Sequence, residues 1–357
     1  MTHPAAISKE CKTISMNART IKLPAFKEFR QQSGSSATAI FFTLFTFALL
    51  VEDMMRFPLR PFFRKTAVNG SNWRNLSDDS SLCHRMSFLG GGQMTEAILG
   101  ALQAKNIQKM DTITVVDTNP DRLTHLRNKF GVSITSDANL GVENADFVVL
   151  AVKPQTVTSL AASLKKPPKQ LLLSIVAGLT VSDIRKSFNC EHIIRTMPNT
   201  PAMVLEGVTV WMANSSMPQA LKAQAMTFLQ SFGEELEVQD ERYIDMATAV
   251  SGSGPGYVFL TMEAMIDAAV HLGFPRYMAE KLVISTIRGS AIYALKSGTH
   301  SAKLRNSVTS PGGTTASALY AMERGGYRTV VADAIWAAYR RTLELGGQDS
   351  NVGPGMR

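Results

Sequence analysis

The residues best placed to do chemistry in this chain are the hydroxyls and glycines of VTSPGGTT, residues 308–315, which run straight into the helix-forming TASALYAMERGG. Pro311 fixes its own φ and disfavours helix at Ser310, while Gly312 and Gly313 permit backbone angles that other residues resist. A helix that starts just after such a turn offers free backbone N–H groups and the positive end of its dipole, which together hold a small anion such as a carboxylate. Thr309, Ser310, Thr314 and Thr315 surround that point with hydroxyls. Taken alone, the stretch reads as a loop and a capped helix start. The elements that precede it in the chain give it a ligand.

The first of those elements begins at Met86. The apolar MSFL is followed by Gly90-Gly91-Gly92-Gln93-Met94-Thr95 and then by EAILGALQAKN, a strand, glycine turn and helix in succession. A GxGxx(G/A) turn of this kind lets backbone approach a pyrophosphate that rests on the helix N-terminus, with Gly90 and Gly92 as its glycines. Thr95 stands where Gly or Ala is usual. Residues 112–116 are rich in β-branched side chains and end at Asp117, about 25 residues beyond Gly92, near the position of a ribose-binding acid. A helix over 121–130 and apolar strands over 132–135, 145–152 and 171–176 follow, and strands of that character indicate a parallel sheet covered on both faces. In such sheets the turns leaving the strands face the ligand crevice. Here they are Ala151-Val152-Lys153-Pro154, Ala177-Gly178 and the turn holding Asn199. Lys153 reads equally as a solvated loop lysine and Asn199 as a turn former. Segments 206–211, 219–229 and 235–238 continue the α/β pattern.

From about residue 241 the strand pattern stops. SGSGPG, residues 251–256, interrupts a segment that begins at Glu241, and residues 257–272 carry apolar side chains at a helical period. Pro275 opens a second helix to about Lys296, apolar or small on more than one face, and two more helices follow over 315–324 and 327–345. A helix apolar around much of its circumference must be buried on several sides. A segment of this length is short of partners for that, so the helices of another subunit are expected here. The division predicted is an extension over 1–85, a Rossmann-type dinucleotide-binding domain over 86–240, an all-helical substrate-binding and dimerisation domain over 241–347, and a tail over 348–357.

Composition narrows the partners. With 357 residues, 45% of them hydrophobic, the chain can bury a sizeable core. The net charge of +8 is concentrated in residues 1–85, which hold 12 Lys/Arg against 6 Asp/Glu; the remainder holds 25 against 23. No stretch of the body interleaves basic and aromatic residues, which argues against nucleic acid. Cys11, Cys83 and Cys190 lack the spacing of a disulfide framework or a zinc site. Residues 37–51 are apolar but short of the ~20 residues that cross a bilayer as a helix. Residues 54–77 contain Arg56, Arg60, Arg64, Lys65 and Arg74 and no acid, the character of a mitochondrial or plastid presequence if translation starts at Met54 or Met55. The other reading of the extension is a tail with no address, which leaves a cytoplasmic protein.

Together the two halves resemble the pyrroline-5-carboxylate reductases, the last enzymes of proline biosynthesis. The resemblance is carried in order by FLGGGQM, AVKP, VAGLT, MPNTP, SGSGPGY, GFPR and VTSPGGTT and covers roughly residues 86–347. It implies reduction of L-Δ1-pyrroline-5-carboxylate to L-proline with NADPH or NADH, on a Rossmann domain joined to an interlocked helical dimerisation domain that often builds larger rings. It further implies that Gly90, Gly92, Gln93 and Met94 face the cofactor phosphates and Thr118 and Asn119 the adenosine ribose. Ala151, Val152, Lys153 and Pro154, with Ala177 and Gly178, would lie along the nicotinamide side, with Asn199 nearby. Backbone N–H groups of Gly313, Thr314 and Thr315 would hold the substrate carboxylate, Ser310 would shape the loop, and the Thr315 hydroxyl would lie near the ring nitrogen, which Glu241 also approaches. The chain departs from the pattern at Thr95, at Gly256 in place of Ala, and at His300-Ser301 in place of His-Pro. Asp117 is the departure with consequences, because a carboxylate suits the ribose diol of NAD and repels the 2′-phosphate of NADP, whereas Arg122, Thr118 and Asn119 could still bind phosphate.

The chemistry implied needs little acid–base help, since a protonated imine is already electrophilic at the ring carbon and positioning carries most of the catalysis. That suits a chain without a His or Cys constellation. Two rival readings are a β-hydroxyacid-dehydrogenase-like oxidoreductase, which needs a lysine early in the second domain where residues 257–272 have none, and a dinucleotide-binding protein without turnover.

Overall fold

The computed structural model describes residues 82–168 and 171–354, so the apolar run and the basic segment of the extension lie outside the described residues. Eight strands form one sheet: β1 (Met86–Leu89), β2 (Ile113–Val116), β3 (Ser133–Thr135), β4 (Phe147–Leu150), β5 (Leu171–Ser174), β6 (Ile193–Met197), β7 (Gly207–Ala213) and β8 (Gly233–Glu237). Their spatial order is β3-β2-β1-β4-β5-β6-β7-β8. All neighbours pair in parallel except β6 and β7. The order reverses between β1 and β4, and that switch point is where open α/β sheets hold their ligands.

Strand alternation sends neighbouring side chains to opposite faces, and here both faces are buried. Phe88, Phe147, Val149 and Leu173 pack on one side with α1 (Gln93–Ala104), α2 (Pro120–Phe130) and α6 (Gln219–Gln230). Leu89, Val148, Leu150 and Leu172 pack on the other with α3 (Ala138–Glu143), α4 (Val157–Ser163) and α5 (Val181–Phe188). The apolar runs expected over 145–152 and 171–176 are longer than the ladders, because Val152 and Val176 go on packing into the core after the strand hydrogen bonds end. β6 ends where the turn holding Asn199 was expected to leave a strand, but its range was not delimited, as Arg195 and Thr196 interrupt its apolar run; both are nonetheless buried.

Beyond β8 the chain is helical. α7 (Arg242–Ala247) leads into a π-helical turn (Thr248–Gly252), so the glycine run widens the helical path rather than breaking it. Then come α8 (Gly254–His271), α9 (Arg276–Ser297), α10 (Ser301–Ser307), α11 (Thr314–Arg324) and α12 (Tyr327–Leu345). α10 was not expected; it is short and polar. α8, α10 and α11 contribute no buried side chain, and α9 contributes only Ala279 and Val283. Large apolar residues stand in solvent instead, Leu260 at 67% and Leu295 at 75% exposure among them. Among the described residues no helix is long and apolar enough to cross a membrane.

Candidate active site

The glycine turn closes β1 and opens the site. Gly90 has φ +112°, and a Cβ there would lie 2.5 Å from the Ala151 carbonyl oxygen, so only glycine lets the β1 and β4 ends approach this closely. The Thr95 hydroxyl donates to the Gly90 carbonyl at 2.6 Å. The side chain that departs from the pattern is thus fully buried and braces the turn. Thr95→Val should cost about 1–2 kcal/mol by leaving that carbonyl unpaired. Chemical unfolding measures the loss, and a cofactor titration should show weaker binding as the turn loosens.

Gly92 is the N-cap of α1 without any side-chain cap, and no atom lies within 4 Å of where its Cβ would stand. An uncapped helix start bordering a cleft has backbone N–H groups that can seat a pyrophosphate. The cleft in front of them has a volume of about 700 Å³. Of the residues expected to bind the cofactor it gathers Gly90, Gly92, Asp117, Thr118, Ala151, Val152 and Lys153. Gln93, Met94, Asn119 and Pro154 sit at the element starts that adjoin this lining.

Asp117 braces the turn as well as lining the cleft. One carboxylate oxygen accepts the Gly91 N–H at 2.7 Å and the other the Asn119 N–H at 2.9 Å. Asn119 in turn caps α2 by accepting the Arg122 N–H at 3.1 Å. The Arg122 guanidinium lies across the carbonyls of Gly91 and Gly92 and pairs with Glu96 at 2.6 Å. Glu96 also meets Lys129 at 2.7 Å and His125 at 3.1 Å. The hydrogen bond from Lys129, ahead of those from His125 and Arg122, outweighs the opposing effect of burial and brings the Glu96 pKa down to about 2.

The remaining sequence-predicted residues lie outside the cleft lining. Gly178 packs against the end of α12, where a Cβ would come within 2.8 Å of the Gly346 nitrogen, so the Ala177-Gly178 turn is where the sheet meets the last helix. Asn199 uses its amide structurally, donating to the Ser251 carbonyl at 3.2 Å and accepting the Val208 N–H at 2.9 Å. Glu241 accepts from the Arg195 guanidinium at 2.7 Å and from the Val181 N–H at the start of α5. Arg195 is 1% exposed and its other terminal nitrogen pairs with the buried Asp245. Sequence reasoning missed Arg195 and Asp245, whose pairing spans 50 residues and leaves no local pattern.

The turn opened by residue 308 has the form expected of it. Gly312 is left-handed at φ +69°, the Gly313 N–H closes the turn onto the Ser310 carbonyl at 3.0 Å, and a Cβ on Gly313 would overlap the Ser310 hydroxyl. Gly313 is the N-cap of α11 and no side chain caps it. The Gly313 N–H, expected to hold a carboxylate, is thus taken within the turn, and the N–H groups of Thr314 and Thr315 begin a helix with no side-chain cap. None of residues 308–315 lines the cleft.

A solved pyrroline-5-carboxylate reductase from Coxiella burnetii is 37% identical with a TM-score of 0.65, the match covering 73% of this chain and 98% of that one. The Plasmodium falciparum pyrroline carboxylate reductase, solved with NADP bound, is 31% identical with a TM-score of 0.68 over the same shares. A pyrroline-5-carboxylate reductase from Synechocystis sp. is 38% identical across 73% of this chain and 98% of its own length. The chain belongs to the pyrroline-5-carboxylate reductase family. Within this family member, the model described as pyrroline-5-carboxylate reductase dimerisation matches residues 241–345, the helices whose apolar faces stand bare. The model described as NADP oxidoreductase coenzyme F420-dependent matches residues 85–178, which hold the glycine turn and the cleft.

Proposed function

We infer that the protein reduces L-Δ1-pyrroline-5-carboxylate to L-proline, taking hydride from NADPH or NADH. The observation that carries this is the open pyrophosphate seat at Gly92, in a chain spanning 98% of a Synechocystis reductase of that name. When bound, the cofactor supplies the hydride. The N–H groups at the start of α1 hold its pyrophosphate, Asp117, Thr118 and Asn119 take its adenosine end, and Ala151 to Pro154 line its nicotinamide side.

The substrate's carboxylate sits on the N–H groups of Thr314 and Thr315, in a loop that Ser310 shapes by accepting the Gly313 N–H. That fixes the ring, and the Thr315 hydroxyl contacts its nitrogen. The imine enters protonated, its carbon accepts the hydride, and the nitrogen keeps its proton as the amine of proline. No side chain has to deliver a proton, and orientation does most of the work. Glu241 and Asn199 act as positioning residues, holding the start of the helical part and the turn after β6.

The functional unit is a homodimer or a larger ring, because the exposed faces of α8 and α9 are what a second copy covers. Residue 241 divides a dinucleotide-binding domain from a helical one, and the tail begins after residue 347. The basic, acid-free character of residues 54–77 supports import into a mitochondrion or plastid; without processing the enzyme is cytoplasmic.

The deciding experiment follows NAD(P)H oxidation with pyrroline-5-carboxylate, with a hydroxyacid and with no substrate. Turnover on the imine acid alone supports the reading. Turnover on the hydroxyacid would favour a dehydrogenase, and turnover on neither a binding protein. Thr315→Ala should raise KM and lower kcat, and unchanged kinetics would remove Thr315 from the pocket.

A further inference from the structure

The cleft's adenosine end carries a charge pattern that bears on which dinucleotide it takes. β2 and β3 are neighbours, with Val116 in register with Thr135, and each is followed by an acid that lines the cleft, Asp117 and Asp137. Both carboxylates are fixed from behind. Asp117 is held by the Gly91 and Asn119 amides, while Asp137 accepts the Asn139 N–H at 2.8 Å and its side-chain amide at 3.2 Å. The Asn139 contacts, backbone first, keep the Asp137 carboxyl below its ordinary range, with a smaller contribution from the nearby Lys165.

The cations that could offset these acids are committed elsewhere or stand outside the lining. Arg122, the residue able in principle to grip a phosphate, has its guanidinium on the Gly91 and Gly92 carbonyls and on Glu96. His125 and Lys129 converge on Glu96 too. Among the described residues lining the cleft the one cation is Lys153, which follows β4 rather than β2 or β3. Lys165 lies near Asp137 but is exposed and not part of the lining.

A ribose with free 2′- and 3′-hydroxyls can donate to a carboxylate at the end of β2, whereas a 2′-phosphate brings roughly two negative charges to the same place. We propose that Asp117 makes this enzyme select NADH over NADPH, by accepting the ribose hydroxyls and repelling a 2′-phosphate at a wall where Arg122 is already engaged. The proposal rests on the dinucleotide-dependent reading above and goes beyond it by naming the cofactor.

Isothermal titration of the intact oligomer with NADH and with NADPH tests this without turnover, and ADP-ribose against its 2′-phosphorylated form isolates the adenosine end. NADH should bind roughly ten- to a hundredfold more tightly, the difference shrinking as salt is added. Asp117→Asn retains an acceptor for the Gly91 N–H and removes the charge. It should improve NADPH binding in absolute terms and move the ratio by about tenfold or more. A purely structural Asp117 would weaken both cofactors alike, and that result would overturn the proposal. So would wild-type NADPH binding as tight as NADH, and a loss of such binding in Lys165→Ala would then identify Lys165 as the phosphate's partner. Binding of neither dinucleotide would instead sink the reductase reading itself.

Discussion

Arg195→Met should lower the free energy of unfolding by about 3–5 kcal/mol, the scale of breaking a buried pair from one side. Arg195 lies on β6, in the sheet, while both its carboxylate partners lie at or beside α7, in the helical part. Removing the guanidinium leaves Asp245, which is 2% exposed, with only the Gln348 side-chain amide at 3.5 Å among the described residues. Glu241 keeps partial access to water and the Val181 N–H, so Asp245 accounts for most of the cost. The Arg195 Nε has no partner among the described residues, so the cluster is not fully satisfied as it stands. An apolar replacement of the whole cluster, Arg195→Met with Glu241→Met and Asp245→Leu, should therefore regain most of the loss. Urea unfolding at fixed protein concentration measures both, and a midpoint unmoved in Arg195→Met would show that the pairing does not hold α7 to the sheet.

Leu260→Glu combined with Leu295→Glu should leave the protein monomeric and lower kcat/KM by about a hundredfold or more, while the cleft still binds its cofactor. Isolated exposed leucines tolerate such changes within about 0.5 kcal/mol, so a large effect marks these faces as an interface. The loss of rate follows from what carries the turn proposed to hold the substrate. α8, α10 and α11 bury no side chain within one chain, so residues 308–315 sit on helices whose position a second copy must set. Sedimentation reports the assembly and a dinucleotide titration the cleft. An oligomer intact in the double variant would place the interface elsewhere.

Much of the dinucleotide half was legible because its signals are local. The MSFL strand, the glycine turn and the helix after it are set by alternation and by Gly90 and Gly92, and the observed β1 and α1 follow them. Pro120 and Gly131 bound α2, as proline at a first turn and glycine after a last one do. The extent of β6 was illegible for the opposite reason. Arg195 breaks its apolar run, and what makes a buried arginine tolerable there is a pair of acids 46 and 50 residues later. Asp137 carried a similar signal to Asp117, an acid two residues past a strand end where Asp117 directly follows one, but lay off the spacing of the ribose-binding motif.

The sequence by itself determined the order of the elements, the glycine seat at Gly90 to Gly92, the anion-ready turn at Ser310 to Thr315, and the need for another subunit, since these depend on neighbours within a few residues or on the total apolar surface. Only the tertiary structure decided how the charged and polar groups are engaged. It put Arg122 on the glycine carbonyls, Glu241 on Arg195, Asn199 on Ser251, and Asp117 beside Asp137. A side chain's charge is written in the sequence, but its availability to a ligand depends on which distant groups reach it first.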